Sequence, residues 1–167
     1  MIDRQTDAQP ARAVLYVEDN PVNALLMAAL FDARPGLKLV LAQTGQQALC
    51  IAAGLDPALI LLDMRLPDCH GTQLLPLLRQ LPGCETAPAV AVTAEADFVL
   101  DGTDFVELWP KPMDLSWVLR RLDALTAGGP GAASDAFAAR TSNGLPASFV
   151  RSLGRAARPE MGTGLAN

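Results

Sequence analysis

Short apolar runs alternate with longer amphipathic stretches along the chain, and Gly, Pro and capping residues punctuate the joins. Ala13–Val17 is rich in β-formers and predicts a buried strand, which stops at Glu18, Asp19, Asn20 and Pro21. Asn20 is a good N-cap and Pro21 suits a first helical turn. A helix is therefore expected from Pro21 to Ala33, with Leu25, Leu26, Ala29 and Leu30 toward the core, ended by Pro35 and Gly36. Leu37–Leu41 reads as a second strand, and Thr44 and Gly45 open a helix to Ala53 that Gly54 closes. Leu59–Leu62 is the most hydrophobic strand and ends at Asp63. Arg65–Gly71 reads as a loop, Thr72–Gln80 as a helix interrupted or shifted by Pro76, and Ala89–Val92 as a fourth strand ending at Thr93. The pattern then weakens: Ala94–Asp101 predicts at most a turn or two of helix, and Phe105–Trp109 a fifth strand broken by Pro110, Lys111 and Pro112. Asp114 caps a last helix to Leu125, with Leu115, Val118, Leu119 and Leu122 on one face.

Strands that are apolar on both faces and alternate with helices predict an α/β fold. The expected form is a doubly wound five-stranded parallel sheet in a three-layer α/β/α arrangement, with right-handed crossovers. Ligands of such sheets bind beyond the carboxyl ends of the strands, where the strand order reverses.

Composition bounds the rest. The 167 residues are 50% hydrophobic and 19% charged, enough for one sizeable core. A formal net charge of −5 argues against sequence-independent nucleic-acid binding. That charge is uneven: residues 1–125 carry a net −7, whereas residues 126–167 carry a net +2 and 7 of the 13 glycines. The shift predicts an N-terminal tail over 1–11, one folded domain over 12–125 and a Gly/Ala-rich tail over 126–167. Within that tail, Leu145, Phe149 and Leu153 recur every four residues beside Arg151, Arg155 and Arg158, a candidate amphipathic helix over 145–158. The polar N-terminus lacks a signal-peptide pattern and no apolar run is long enough to span a membrane, so the cytoplasm is the expected location. Cys50, Cys69 and Cys84 have no metal spacing and read as free, structural thiols.

The polar residues fall where the fold puts ligands. Glu18 and Asp19 follow the first strand, Asp63 ends the third, Thr93 ends the fourth and Lys111 follows the fifth. Three carboxylates brought together repel, and a hard divalent cation such as Mg²⁺ relieves that repulsion. Asp63 can then serve as a carboxylate nucleophile toward phosphorus, with Lys111 offsetting charge and the Thr93 hydroxyl bonding an oxygen of the transferred group.

These motifs resemble the receiver domain of two-component response regulators, over about Arg12–Leu125. The carriers are VLYVEDNPVN, LILLDMRLPDCHG, AVTAEA and WPKPMD, with 44 residues from Asp19 to Asp63 and 30 from Asp63 to Thr93. The resemblance implies a flavodoxin-like receiver fold and a phosphorelay function. It makes Asp63 the phosphoacceptor, Thr93 the switch hydroxyl and Lys111 the phosphoryl partner, with a cis bond to Pro112. Glu18, Asp19, Asp63 and the backbone carbonyl of Arg65 become the Mg²⁺ set, Glu18 through a bound water or directly. It implies a sensor histidine kinase or phosphotransfer protein as donor, a downstream protein target and a homodimer as a candidate assembly, with no nucleic acid, no membrane span and no metabolic turnover.

The sequence departs from that family in one region. Lys111 follows Thr93 by only 18 positions, so the helix usual between them is expected to be short or absent. Leu108 stands where the family carries Tyr or Phe, and Phe105 is displaced by three positions. Output through the last helix and the tail is therefore expected in place of the threonine–aromatic switch. Arg65 and Glu95, each two residues past a site residue, are placed to pair across the site.

His70, the only histidine, reads as a solvated loop residue, and Trp109 as core. Two other functions fit part of the pattern. A pseudo-receiver scaffold would share the fold without being phosphorylated. A haloacid-dehalogenase-type phosphatase would need a second aspartate two residues past the nucleophile, where Arg65 stands.

Overall fold

The structure, a computed structural model, describes residues 10–127. The expectations for the tail, including the 145–158 helix, lie outside the described residues. The element order is β1 (Arg12–Val17), α1 (Pro21–Asp32), β2 (Leu37–Ala42), α2 (Gly45–Ala52), β3 (Pro57–Asp63), α3 (Gly71–Leu78), β4 (Ala89–Thr93), β5 (Glu107–Pro110) and α4 (Leu115–Thr126). All five strands are parallel, in the order β2-β1-β3-β4-β5. The order reverses between β1 and β3. Val17 lies level with Ala42 and Leu62, Asp63 with Val92, and Thr93 with Pro110, so the carboxyl ends form one edge.

Strand alternation sends successive side chains to opposite faces. On one face Leu15, Val17, Ile60 and Leu62 pack against Ala48 and Ala52 of α2 and Leu74, Leu75 and Leu78 of α3. On the other, Val14, Tyr16, Leu59, Leu61 and Trp109 pack against Met27 and Phe31 of α1 and Val118, Leu122 and Leu125 of α4. Leu59, Ile60, Leu61 and Leu62 are wholly buried, each stabilising the fold by about 1.5–3 kcal/mol. Two charged ties hold α4 in place: Arg34 makes a two-pronged contact with Asp123 at 2.7 and 2.8 Å, and Arg121 pairs with buried Glu107.

Three expectations need correction or narrowing. The core face of α1 is Met27 and Phe31, whereas Leu25, Leu26 and Ala29 are exposed and Leu30 only half-buried. This helix carries a single charge, at Asp32, and lacks a polar face to set its rotation. Second, of the two outcomes expected between Thr93 and Lys111, a short helix or none, the structure shows none: residues 94–106 contain turns only. Phe98 and Leu100 pack on the α2/α3 side with exposed Val99 between them, a period of two that a helix cannot supply. Phe98 meets Phe105 edge-to-face at 6.1 Å, and Gly102 takes a positive φ of 75° to turn the chain. Third, Phe105 precedes the fifth strand, and its ring is buried in the core on the α2/α3 side.

Candidate functional site

The site lies on the carboxyl edge of the sheet beside the β1/β3 reversal. Tyr16 and Glu18 are two apart at the end of β1, where strand geometry gives them the same face. Asn20 caps α1 by accepting from the N–H groups of Val22 and Asn23, which fixes the turn carrying Glu18 and Asp19. Glu18 is 1% exposed and ringed by donors. Its Oε1 accepts from the Asn20 N–H at 3.1 Å and Asn23 Nδ2 at 3.2 Å, and its Oε2 from the Tyr16 hydroxyl at 2.7 Å. Lys111 Nζ sits 2.7 Å from the same Oε2 and 2.6 Å from Asp63 Oδ2. Asp63 Oδ1 accepts from the Arg65 N–H at 3.0 Å.

One ammonium is thus shared by two buried carboxylates. Burial would raise Glu18, but its bonds from Lys111, Tyr16 and Asn23 outweigh burial and hold its carboxyl below the ordinary range. Asp63 goes the other way: burial and the charge of Glu18 push it up, against Lys111 and the Arg65 N–H. Lys111 is held above the usual lysine value, because its contacts with Asp63 and Glu18 outweigh burial. Burial and the neighbouring carboxylates push the Tyr16 phenol far up, so its hydroxyl remains a neutral donor.

Asp19 is exposed and stands outside these pairs. Carboxylate oxygens of Glu18, Asp19 and Asp63 lie within 4.8 Å of one another, a spacing and donor chemistry that fit a hard divalent cation. Thr93 is buried at the end of β4, its hydroxyl accepting from the Glu95 N–H at 3.0 Å. The Lys111 N–H donates to the Thr93 carbonyl at 2.8 Å, and the Lys111–Pro112 bond is cis.

Across the mouth, Arg65 Nε meets Glu95 Oε1 at 2.6 Å, the pairing expected from their positions. His70 is more than a solvated loop residue. It caps α3 in a reciprocal box with Gln73, and its Nε2 lies 3.6 Å from Glu95 Oε2. The spacing His70-x-x-Gln73 before an apolar run is the signal that would have found the cap. Gly71 opens α3 against the end of β3, where an added Cβ would stand 2.9 Å from the Asp63 carbonyl oxygen. Trp109 is core as expected, whereas among the thiols Cys84 is buried and Cys50 exposed. Leu108 is half-buried among the α2/α3-side packing. The structure brings Glu18, Asp19, Asp63 and Lys111 together at the edge where the sequence puts them, and adds Tyr16 and His70, which the sequence reading missed.

The family model for the response regulator receiver domain matches residues 14–107. The chain belongs to that family. The histidine-protein kinase BarA of Escherichia coli (strain K12) is 36% identical over 90 residues, 54% of this chain and 10% of the kinase. The chain thus matches about a tenth of that relative's length. The polar-differentiation response regulator DivK of Brucella ovis is 34% identical over 85 residues, 51% of this chain and 68% of DivK. Among solved structures, the receiver domain of sensor histidine kinase PA1611 from Pseudomonas aeruginosa PAO1 superposes with a TM-score of 0.63 at 26% identity, covering 71% of this chain and all of that one. That crystal holds a magnesium ion in its active-site cleft. The receiver of the hybrid histidine kinase CckA gives a TM-score of 0.55 at 28% identity, covering 68% of this chain and 98% of that one. The chain is therefore a receiver domain of two-component signalling, and no helix among its described residues is long and apolar enough to cross a membrane.

Proposed function

We propose that this receiver accepts a phosphoryl group on Asp63, from a sensor histidine kinase or phosphotransfer protein, and passes the signal to a protein target. The observation that carries this is the Lys111 ammonium shared between Asp63 Oδ2 and Glu18 Oε2, with Asp19 beside them. Asp19, Asp63 and the Arg65 carbonyl would hold Mg²⁺, with Glu18 adding charge, and the cation would offset negative charge on the transferred group. Asp63 has one oxygen fixed by the Arg65 N–H, so its other oxygen is the nucleophile once Lys111 lets go. A bond forms from Asp63 to phosphorus while the bond from phosphorus to the donor atom breaks, the donor keeping the electron pair. Lys111, still tethered at Glu18, is placed to follow the phosphoryl oxygens, and Thr93 supplies a hydroxyl.

The donor has a surface to meet. The α1 helix starts two residues past Asp19 and exposes Val22, Leu25 and Leu26, with Leu25 at 72%. An apolar helical face on the donor suits it.

Incubation with a small acyl phosphate and Mg²⁺, followed by intact mass, tests the reading. One phosphoryl adduct that needs Mg²⁺ and is lost in Asp63→Asn is expected. No adduct in a correctly folded protein would favour a scaffold role. Output is proposed to leave by a surface other than the segment between β4 and β5, since Leu108 offers no aromatic switch. Amide exchange with and without a phosphoryl mimic checks this, and a change confined to residues 94–108 would contradict it.

A further inference from the structure

The three carboxylates of the site differ in how much of their bonding capacity the protein already uses. An ionised carboxylate has about four acceptor positions. Glu18 has all of them engaged, by Tyr16, Lys111, the Asn20 N–H and Asn23. Asp63 has two donors, Lys111 and the Arg65 N–H, and Asp19 stands outside these contacts. Of the four donors on Glu18, Asn20 and Asn23 hold the first oxygen and Lys111 has a second partner in Asp63. Only Tyr16 is a side chain locked in the core, its ring wholly buried in the cluster containing Met27, Phe31 and Trp109.

We propose that Tyr16 is a positioning residue of this site: its buried hydroxyl holds Glu18 Oε2 beside Lys111, which keeps Glu18 as the anchor of the lysine and leaves direct coordination of the cation to Asp19 and Asp63. The proposal rests on the reading of Asp63 as a Mg²⁺-dependent phosphoacceptor. A cation ligated directly by Glu18 would have to displace one of four donors from a buried group, whereas exposed Asp19 gives up no hydrogen bond or ion pair among the described residues. Without the Tyr16 hydroxyl, Glu18 gains a free acceptor position and an under-neutralised charge at the cation site. It then competes for the metal and draws Lys111 away from Asp63.

The test is Mg²⁺ titration by calorimetry on the full chain, for the wild type, Tyr16→Phe, Glu18→Gln and the double variant, beside the saturating rate of adduct formation from acyl phosphate. Tyr16→Phe is expected to bind Mg²⁺ about three- to tenfold more tightly while the rate at saturating Mg²⁺ falls, a split that simple loosening of the core would not give. In the Glu18→Gln background the same substitution should change Mg²⁺ affinity less than about twofold. Unchanged or weaker Mg²⁺ binding by folded Tyr16→Phe would overturn the proposal, as would equal tightening without Glu18. Should Tyr16→Phe not fold, proton NMR of the wild type decides. The Tyr16 hydroxyl proton should stay in slow exchange through Mg²⁺ saturation, and its loss on adding Mg²⁺ would overturn the proposal. Asp19→Asn separates the two levels: if it leaves Mg²⁺ binding intact, the metal site itself is wrong, and the Tyr16 assignment falls with it.

Discussion

Around β1 and β3 the charged groups are pinned by short, mutually dependent contacts, whereas between β4 and β5 the same edge is finished by thirteen residues without a helix. The first region holds Glu18, Lys111 and Asp63 within a few ångströms, mostly out of solvent. The second is held by two aromatic rings, a glycine turn and one exposed ion pair. Each region is stable for a different reason, electrostatic closure in one and apolar filling in the other. The proposed phosphoryl transfer draws its nucleophile and its lysine from the first region, so packing changes in the second should leave uptake on Asp63 intact.

Breaking the electrostatic half should have the largest effect. Lys111→Met leaves two buried carboxylates facing each other and should cost about 3–5 kcal/mol in urea unfolding. Mg²⁺ should return part of that loss, since a ligand of the native state alone stabilises it by mass action. Phe105→Ala attacks the other half. It should cost about 3 kcal/mol by opening a cavity beside Phe98, yet the folded fraction should take up phosphate on Asp63 at the wild-type rate in an acyl-phosphate assay. Equal loss of uptake per folded molecule would show that the halves are coupled.

A smaller effect sharpens the comparison through pH. Without Mg²⁺ the folded Asp63 carboxyl is raised, so between its unfolded value of about 3.9 and its folded value the native state binds more protons, and stability falls as pH rises. Asp63→Asn removes that pH-dependent penalty and should raise the melting temperature at pH 7, read by calorimetry. Glu18 has the opposite sign: its lowered value brings stability that is present above its unfolded pKa and lost as pH falls through the folded one. Glu18→Gln should therefore flatten the acid limb of the same curve. The smallest effect belongs to the mouth. Arg65→Ala breaks a pair whose arginine is 79% exposed, so the melting temperature should not move. The half-life of the adduct should shorten about two- to fivefold as water gains access, followed by intact mass.

The sequence made the sheet legible because its strands are apolar on both faces and end in polar punctuation. Asp63, Thr93 and Lys111 could be placed on one edge before any coordinates, since parallel strands present their carboxyl ends together. The face of α1 was not legible: a helix apolar all round has no polar stripe to give its rotation, and only packing shows that Met27 and Phe31 face inward. The segment after Thr93 was half legible. The short spacing to Lys111 announced a missing helix, but nothing local revealed that Phe98 and Leu100 would pack at strand spacing. Tyr16 was hidden by its company, since a tyrosine inside a hydrophobic strand reads as core until its hydroxyl is seen to reach Glu18.

The helix-free segment has a further consequence, on the clock of solvent exchange. Of its thirteen amides, those of Glu95, Phe98, Thr103 and Val106 donate to a protein acceptor, the Phe98 contact at a long 3.5 Å. The others donate to no acceptor among the described residues, and such positions open at close to zero free energy. The amides of β1 and β3, strands that each pair on both edges, should exchange only through global unfolding. Deuterium should therefore enter the two flanks of Asp63 on timescales that differ by the stability of the whole domain, so that one spectrum reports local opening and global unfolding at once.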